Sequence, residues 1–268
     1  MCNPNLRYLK NAPTEKSWLK GERFINECDL WKGRSLGFNV ISFFANNLTS
    51  QPDRKECAKQ LPVHRPDLTQ PRNGITKVTW LGHATVLIQD GPVNIITDPV
   101  FVDRIVTYCR LVEKPVDLKG LPRIDIVLIS HDHSDHFDEE AVRYLVDRDN
   151  AVVIIGKNSE DLLPSKAASR ILDWTGIAHV TKQDRKYEIH FLPSCHWSGR
   201  GLTDHFKRLW GGFLVVTPDG RKIYYPGDTG YEEGLFKEIR WKYGPIDLCL
   251  LPIGAYLPRE FLCYQQND

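Results

Sequence analysis

No run of about 18 consecutive apolar residues occurs in this 268-residue chain, so no transmembrane helix is expected. The opening Met1-Cys2-Asn3-Pro4 leads into polar and charged sequence, with no apolar signal-peptide core. Net charge is scarce as well. The formal balance is +1, which offers nothing to draw nucleic acid, and no nucleic-acid partner is expected. The cysteines (Cys2, Cys28, Cys57, Cys109, Cys195, Cys249 and Cys263) form no C-x-x-C pair, which argues against a cysteine zinc knuckle. Their odd, scattered placement suggests small buried side chains with reduced thiols and a cytoplasmic setting. There is no internal repeat and no low-complexity tract. What remains is 41% hydrophobic and 26% charged, a globular composition long enough to bury a substantial core.

Two regions differ in texture. Residues 1–73 are rich in Asn, Lys and Pro and lack strand-like runs, reading as an N-terminal extension packed on the core. Within it, Leu36, Val40, Ile41, Phe43, Phe44 and Leu48 fall at mostly helical spacing between Trp31 and Leu48. That segment would either pack on the main domain or lay an aromatic face on lipid, as a peripheral contact on the inner membrane face. Pro62, Pro66 and Pro71 mark an extended linker. From residue 74 to 268 the pattern changes to short β-rich runs between helical stretches, as in one folded domain. Strands are expected at Ile75–Leu81, Ala84–Gln89, Val93–Thr97, Ile124–Ser130, Val152–Ile155, Tyr187–Leu192, Gly212–Thr217, Lys222–Tyr225 and Leu248–Ile253. Helices are expected at Glu139–Arg148, Lys166–Trp174 and Glu232–Tyr243. Such alternation makes a layered α/β fold, with helices covering sheets.

The chemistry sits at strand ends. His131-Asp132-His133-Ser134-Asp135-His136 follows the near-continuous apolar run Ile124–Ser130. Loops at the C-terminal ends of buried strands are where α/β proteins place their sites. Alternate spacing lets one ion take His131 and His133, while Asp135 and His136 turn toward a neighbouring position. Imidazole with carboxylate suits zinc, and also iron or manganese. Two more donors stand at strand ends, His196 after Tyr187–Leu192 and Asp228 after Lys222–Tyr225. The glycines flanking Asp228 permit a tight turn that presents its carboxylate, which can bridge two cations.

This ligand order resembles the metallo-β-lactamase superfamily. More narrowly, several segments resemble the N-acylphosphatidylethanolamine-hydrolysing phospholipase D group and its bacterial relatives. They are Trp80-Leu81-Gly82-His83-Ala84-Thr85, Thr97-Asp98-Pro99, Ile129-Ser130-His131, Gly227-Asp228-Thr229-Gly230-Tyr231 and Pro252-Ile253-Gly254-Ala255-Tyr256 with Pro258-Arg259. The resemblance implies a four-layer αββα sandwich with a dinuclear site at one edge. It implies two Zn2+ ions, one on His131, His133 and His196, the other on Asp135 and His136, with Asp228 bridging. It places Asp98 and His83 behind or beside the ligands, and Tyr256 and Arg259 where substrate approaches. Structural roles compete for three of these: a turn aspartate for Asp98, a satisfied histidine for His83 and a salt bridge for Arg259. The family includes homodimers, and no residue here decides that point. The family also closes its second metal site with a histidine beyond Tyr256. This sequence has none there, so an incomplete C-terminal part and a weakened second site are expected; His205 is the nearest spare histidine.

The implied reaction is that of a zinc-dependent phosphodiesterase in lipid metabolism. It would cleave N-acylphosphatidylethanolamine-like phospholipids to N-acylethanolamine and phosphatidic acid through a metal-bridged hydroxide. Asp135 and Asp228 would be the catalytic carboxylates. Two readings compete: a lactonase or other hydrolase of small phosphorylated substrates on the same scaffold, and a non-catalytic metal-binding remnant.

Overall fold

Branched apolar side chains fill two segments of the chain almost completely, and both become central strands buried on two faces. The computed structural model describes residues 8–9, 19–20, 22–25, 61–105, 108–201 and 203–254. Six strands make the first sheet: β1 (Thr76–Gly82), β2 (Thr85–Asp90), β3 (Val93–Thr97), β4 (Ile126–Ile129), β5 (Val152–Gly156) and β6 (Ser169–Leu172). They lie in the order β6-β5-β4-β3-β2-β1, parallel from β6 to β3 and antiparallel from β3 to β1. The second sheet runs β7 (Ile177–Lys182), β8 (Arg185–Leu192), β9 (Gly212–Val216), β10 (Lys222–Tyr225) and β11 (Leu248–Cys249). Its first four strands are antiparallel neighbours, and β11 pairs parallel with β10.

Strand periodicity sorts the apolar residues into three layers of core. Between the sheets, Ile88, Ile95, Ile126, Leu128 and Ile154 face Ile189, Phe191, Phe213, Val215 and Tyr225. On the outer face of the first sheet, Leu87, Ile96, Val127 and Ile129 receive α1 (Glu139–Asp149) through Ala141, Val142 and Leu145. On the outer face of the second, Leu192, Leu214 and Tyr224 receive α2 (Glu233–Tyr243) through Leu235, Ile239 and Tyr243. The result is the expected αββα sandwich. Asp138 caps α1 by accepting from Glu140 N and Ala141 N, and left-handed Asn150 ends it.

Parts of residues 1–73 lie against this core. Tyr8 N and Leu9 N both donate to Glu238 Oε2 at 2.9 Å, and Phe24 N donates to Phe206 O at 2.8 Å. Residues 61–73 have no regular structure, yet Gln89 Nε2 reaches back to Leu68 O at 3.1 Å. The expected segment Trp31–Leu48 lies outside the described residues. Among those described, no helix is long and apolar enough to cross a membrane.

Four expectations need correction. Lys166–Trp174 contains no helix: Ser169–Leu172 is an edge strand pairing with β5, because partnership with a buried strand overrides the helical preference of Lys166-Ala167-Ala168. Ile177–Lys182 is a strand where none is expected, with Ala178 and Val180 alternating inward. Leu248–Ile253 is not a buried strand, since only Leu248–Cys249 pairs and both residues are exposed. Finally, Cys109 and Cys249 are free thiols but Cys195 is disulfide-bonded, so the cysteines are not uniformly reduced.

Candidate metal centre

The loop after β4 is held by its own backbone and by charge. His136 N and Phe137 N both donate to His133 O, at 2.9 and 2.8 Å, which folds the six residues into a turn. Asp132 points away from the histidines. Its buried carboxylate accepts from Gly199 N at 2.7 Å and pairs with Arg208 at 3.3 Å, tying this loop to the one after β8. That second loop, carrying His196, is stitched to the third, carrying Asp228. Gly230 N donates to Cys195 O at 2.8 Å, Cys195 N to Thr229 Oγ1 at 3.0 Å, and Ser194 Oγ to Pro226 O at 2.7 Å. Gly227 turns the chain at φ +65°, and a Cβ there would stand 2.6 Å from Ser130 Cβ. The bridging-type aspartate therefore arrives on backbone packed directly against the first loop.

The donor atoms converge. His131 Nε2 lies 2.9 Å from His133 Nδ1, which lies 3.2 Å from His196 Nε2. Four donors placed tetrahedrally at zinc–nitrogen bond lengths stand about 3.3 Å apart, so these separations suit one ion. Asp228 Oδ2 lies 3.8 Å from His196 Nε2 on one side and 3.3 Å from His136 Nε2 on the other. Asp135 Oδ2 is 3.9 Å from His136 Nε2 and 3.2 Å from His83 Nε2. Two groups of donors thus meet at one carboxylate.

Behind the ligands lies a fully buried acceptor. Asp98 takes 2.7 Å from Ser130 N, 2.5 Å from Ser130 Oγ, 2.7 Å from His136 Nδ1 and 2.5 Å from the Tyr225 hydroxyl. Its own backbone is left-handed, φ +33°, a conformation Asp tolerates, and Thr85 Oγ1 donates to its carbonyl at 2.7 Å. With the single Ser130 proton committed to Asp98, Ser130 Oγ accepts from His131 Nδ1 at 2.8 Å. His136 likewise gives its Nδ1 proton to Asp98. Both rings thus turn Nε2 into the site, His131 with a lone pair there. Buried His136 Nε2 stands 3.3 Å from Asp228 Oδ2 without good hydrogen-bond geometry, a place that a cation would satisfy.

Electrostatics agree with that assignment. Burial, reinforced by the adjacent imidazoles, pushes His131 well below the usual histidine range, and burial with His196 lowers His133 to about 3. Both are neutral at pH 7, as metal binding would require. Burial opposes charge on Asp135 and on Asp228, yet the pull of His136 outweighs it and holds both carboxylates ionised. Burial also opposes charge on His136, but Asp228 and Asp135 draw a positive charge there and raise its pKa well above the imidazole range. A cation between these groups would take the place of that proton.

The structure gathers His131, His133, Asp135, His136, His196 and Asp228, with Asp98 beneath and His83 beside them. His205 stacks on Trp197, with ring centroids 5.3 Å apart, and is not in the donor groups found among the described residues. Tyr256 and Arg259 lie outside the described residues. Sequence reasoning missed Tyr225, Asp132 and the hydroxyl role of Ser130. Their only sequence signal is adjacency to a motif or a strand end.

Comparison with known proteins gives four findings. A family model described as "Beta-lactamase superfamily domain" matches residues 93–265. N-acyl-phosphatidylethanolamine-hydrolyzing phospholipase D 1 of Caenorhabditis elegans is 35% identical over 250 residues, 87% of this chain and 70% of that protein. The mitochondrial N-acyl-phosphatidylethanolamine-hydrolyzing phospholipase D of Saccharomyces cerevisiae is 32% identical over 213 residues, 76% of this chain but only 46% of its own length. Among solved structures, a metallo hydrolase from Ignicoccus hospitalis superposes with a TM-score of 0.49 at 22% identity, covering 68% of this chain and 72% of its own.

Proposed function

This chain belongs to the β-lactamase superfamily, and we propose that it is a zinc-dependent phosphodiesterase of the phospholipase D type. Its substrates would be N-acylphosphatidylethanolamine-like lipids, cleaved to N-acylethanolamine and phosphatidic acid. The observation that carries the reading is a pair of donor groups, His131 with His133 and His196, and Asp135 with His136, each reaching the one carboxylate of Asp228 through a single member, His196 and His136. Bound divalent cations would supply Lewis-acid neutralisation of charge on the phosphoryl oxygens and a nucleophile from water at neutral pH.

The chain's own groups do the rest. Asp98 and Ser130 hold the tautomers of His136 and His131. Asp228 and Asp135, ionised and partly solvent-facing, orient the water that attacks phosphorus. Trp80, 69% exposed and donating through Nε1 to His83 O, stands beside the site, and Tyr231, 53% exposed, follows Asp228 closely. Exposed aromatics there suit an acyl chain better than a small polar substrate. Residues 74–268 would form the hydrolase domain, with residues 1–73 packed on it as an extension.

The test is hydrolysis of N-acylphosphatidylethanolamine vesicles by zinc-loaded protein, with products identified by mass. Release of N-acylethanolamine and phosphatidic acid supports the reading. Turnover of lactones or soluble phosphodiesters alone would replace the substrate assignment, and no turnover of any of them would favour a non-catalytic metal-binding role.

A further inference from the structure

We propose that His83 is a direct ligand of the second cation, sharing it with Asp135 and His136. The inference rests on the dinuclear reading above and adds a donor that the H-x-H-x-D-H motif does not contain.

Geometry carries it. One donor atom each from His83, Asp135 and His136 lies within 4.8 Å of the others, as for His131, His133 and His196. The 3.2 Å between His83 Nε2 and Asp135 Oδ2 is the separation expected of two donors sharing one ion, about 3.3 Å for a tetrahedral zinc. The His83 and His136 rings meet edge-on at 4.9 Å and 62°, so neither ring stacks face-on against the other. On its other side, His136 Nε2 faces Asp228 Oδ2 at 3.3 Å with no hydrogen bond of its own.

The backbone tells the same story. His83 sits in the β1–β2 turn at φ +50°, after Gly82 at φ +107°. The turn is fixed from three directions. Trp80 Nε1 donates to His83 O at 2.8 Å, Thr97 Oγ1 to Ala84 O at 2.8 Å, and Thr85 Oγ1 to the carbonyl of Asp98 at 2.7 Å. His83 is thereby fastened to the strand end that carries Asp98, the residue orienting His136. The competing role, a simple ion pair with Asp135, is weak, because both side chains are nearly half exposed and such pairs contribute little.

Imidazole nitrogens with a carboxylate oxygen suit a divalent transition ion, zinc first, with iron and manganese tolerated.

The experiment is zinc stoichiometry and chelator competition on the full chain, for the unsubstituted protein, His83→Asn and His83→Gly. Asn and Gly both accept the left-handed backbone, so the turn survives while the imidazole is lost. The unsubstituted protein should hold two zinc ions. His83→Asn should keep one and bind the second at least roughly tenfold more weakly. Added imidazole should restore the second ion to His83→Gly, and a cobalt-substituted sample should change its visible spectrum only in the second equivalent. Retention of both ions by His83→Asn with unchanged affinity overturns the assignment of His83 alone. An unsubstituted protein that binds no zinc overturns the dinuclear reading itself, and this proposal with it. Should His83→Asn not fold, the rescue of His83→Gly by imidazole decides: no rescue overturns the assignment.

Discussion

Replacing Asp98 should damage both fold and metal affinity, in a measurable ratio. The carboxylate is fully buried and accepts from Ser130 N, Ser130 Oγ, His136 Nδ1 and the Tyr225 hydroxyl. Asp98→Ala strands those donors without water to replace the acceptor. At roughly 1–3 kcal/mol for each buried group left unpaired, and allowing for partial rearrangement, the loss is about 3–5 kcal/mol. Tyr225→Phe removes a single hydrogen bond and strands no donor, so it should cost only about 1–1.5 kcal/mol. Asp98→Asn keeps the volume but turns an N–H toward other N–H and O–H groups, and should fall between the two. Zinc affinity should follow the same order. Loss of the group that fixes the His136 and His131 tautomers weakens binding about 10–100-fold, and loss of the tyrosine hydroxyl less than about tenfold. Urea unfolding of the chelated protein gives the first quantity, and competition with a chromophoric chelator gives the second. An Asp98→Ala protein that binds zinc as tightly as the unsubstituted chain would refute the orienting role. So would a Tyr225→Phe loss as large as that of Asp98→Ala.

Metal removal should lower thermal stability: zinc at a thousandfold its dissociation constant contributes about 4 kcal/mol, or roughly 8–16 °C in Tm, which scanning calorimetry with and without chelator will read. Gly227→Ala forces a Cβ into Ser130 at a left-handed φ of +65°, and should cost about 2–4 kcal/mol while weakening zinc binding; unchanged urea midpoints would contradict the close packing of these loops. Burial pushes the Asp90 carboxyl up, but hydrogen bonds from Thr76, Tyr187 and Arg185 outweigh it and hold it below the ordinary value of 3.8. A depressed folded pKa gives stability that is present above the unfolded pKa and lost as pH falls through the folded one, so unfolding midpoints should drop below about pH 4 and Asp90→Asn should flatten that acid limb.

Much of this molecule is legible in its sequence, for physical reasons that differ by element. β4 and β5 are read directly because a strand buried on both faces has apolar residues at nearly every position. Helix α1 announces itself through its Asp138 cap and the apolar stripe of Ala141, Val142 and Leu145. Edge strands are harder. Ser169–Leu172 and Ile177–Lys182 are short and half exposed, and only their partners make them strands. The donor cluster His131–His136 is legible because its chemistry is contiguous, and His196 and Asp228 because they follow strands. Tyr225 is not: an inward-facing tyrosine at a strand end looks like core, and only the fold brings its hydroxyl to Asp98. His83 is intermediate, since its motif was visible but its distance to Asp135 depends on how the β1–β2 turn meets the β4 loop.

The central claim is that two cations share Asp228. Anomalous diffraction at the zinc edge, from crystals of the zinc-loaded chain, tests it most directly. Two peaks about 3.5–4 Å apart are predicted, one among His131, His133 and His196, the other beside Asp135 and His136. A single peak, or peaks away from these residues, would contradict it.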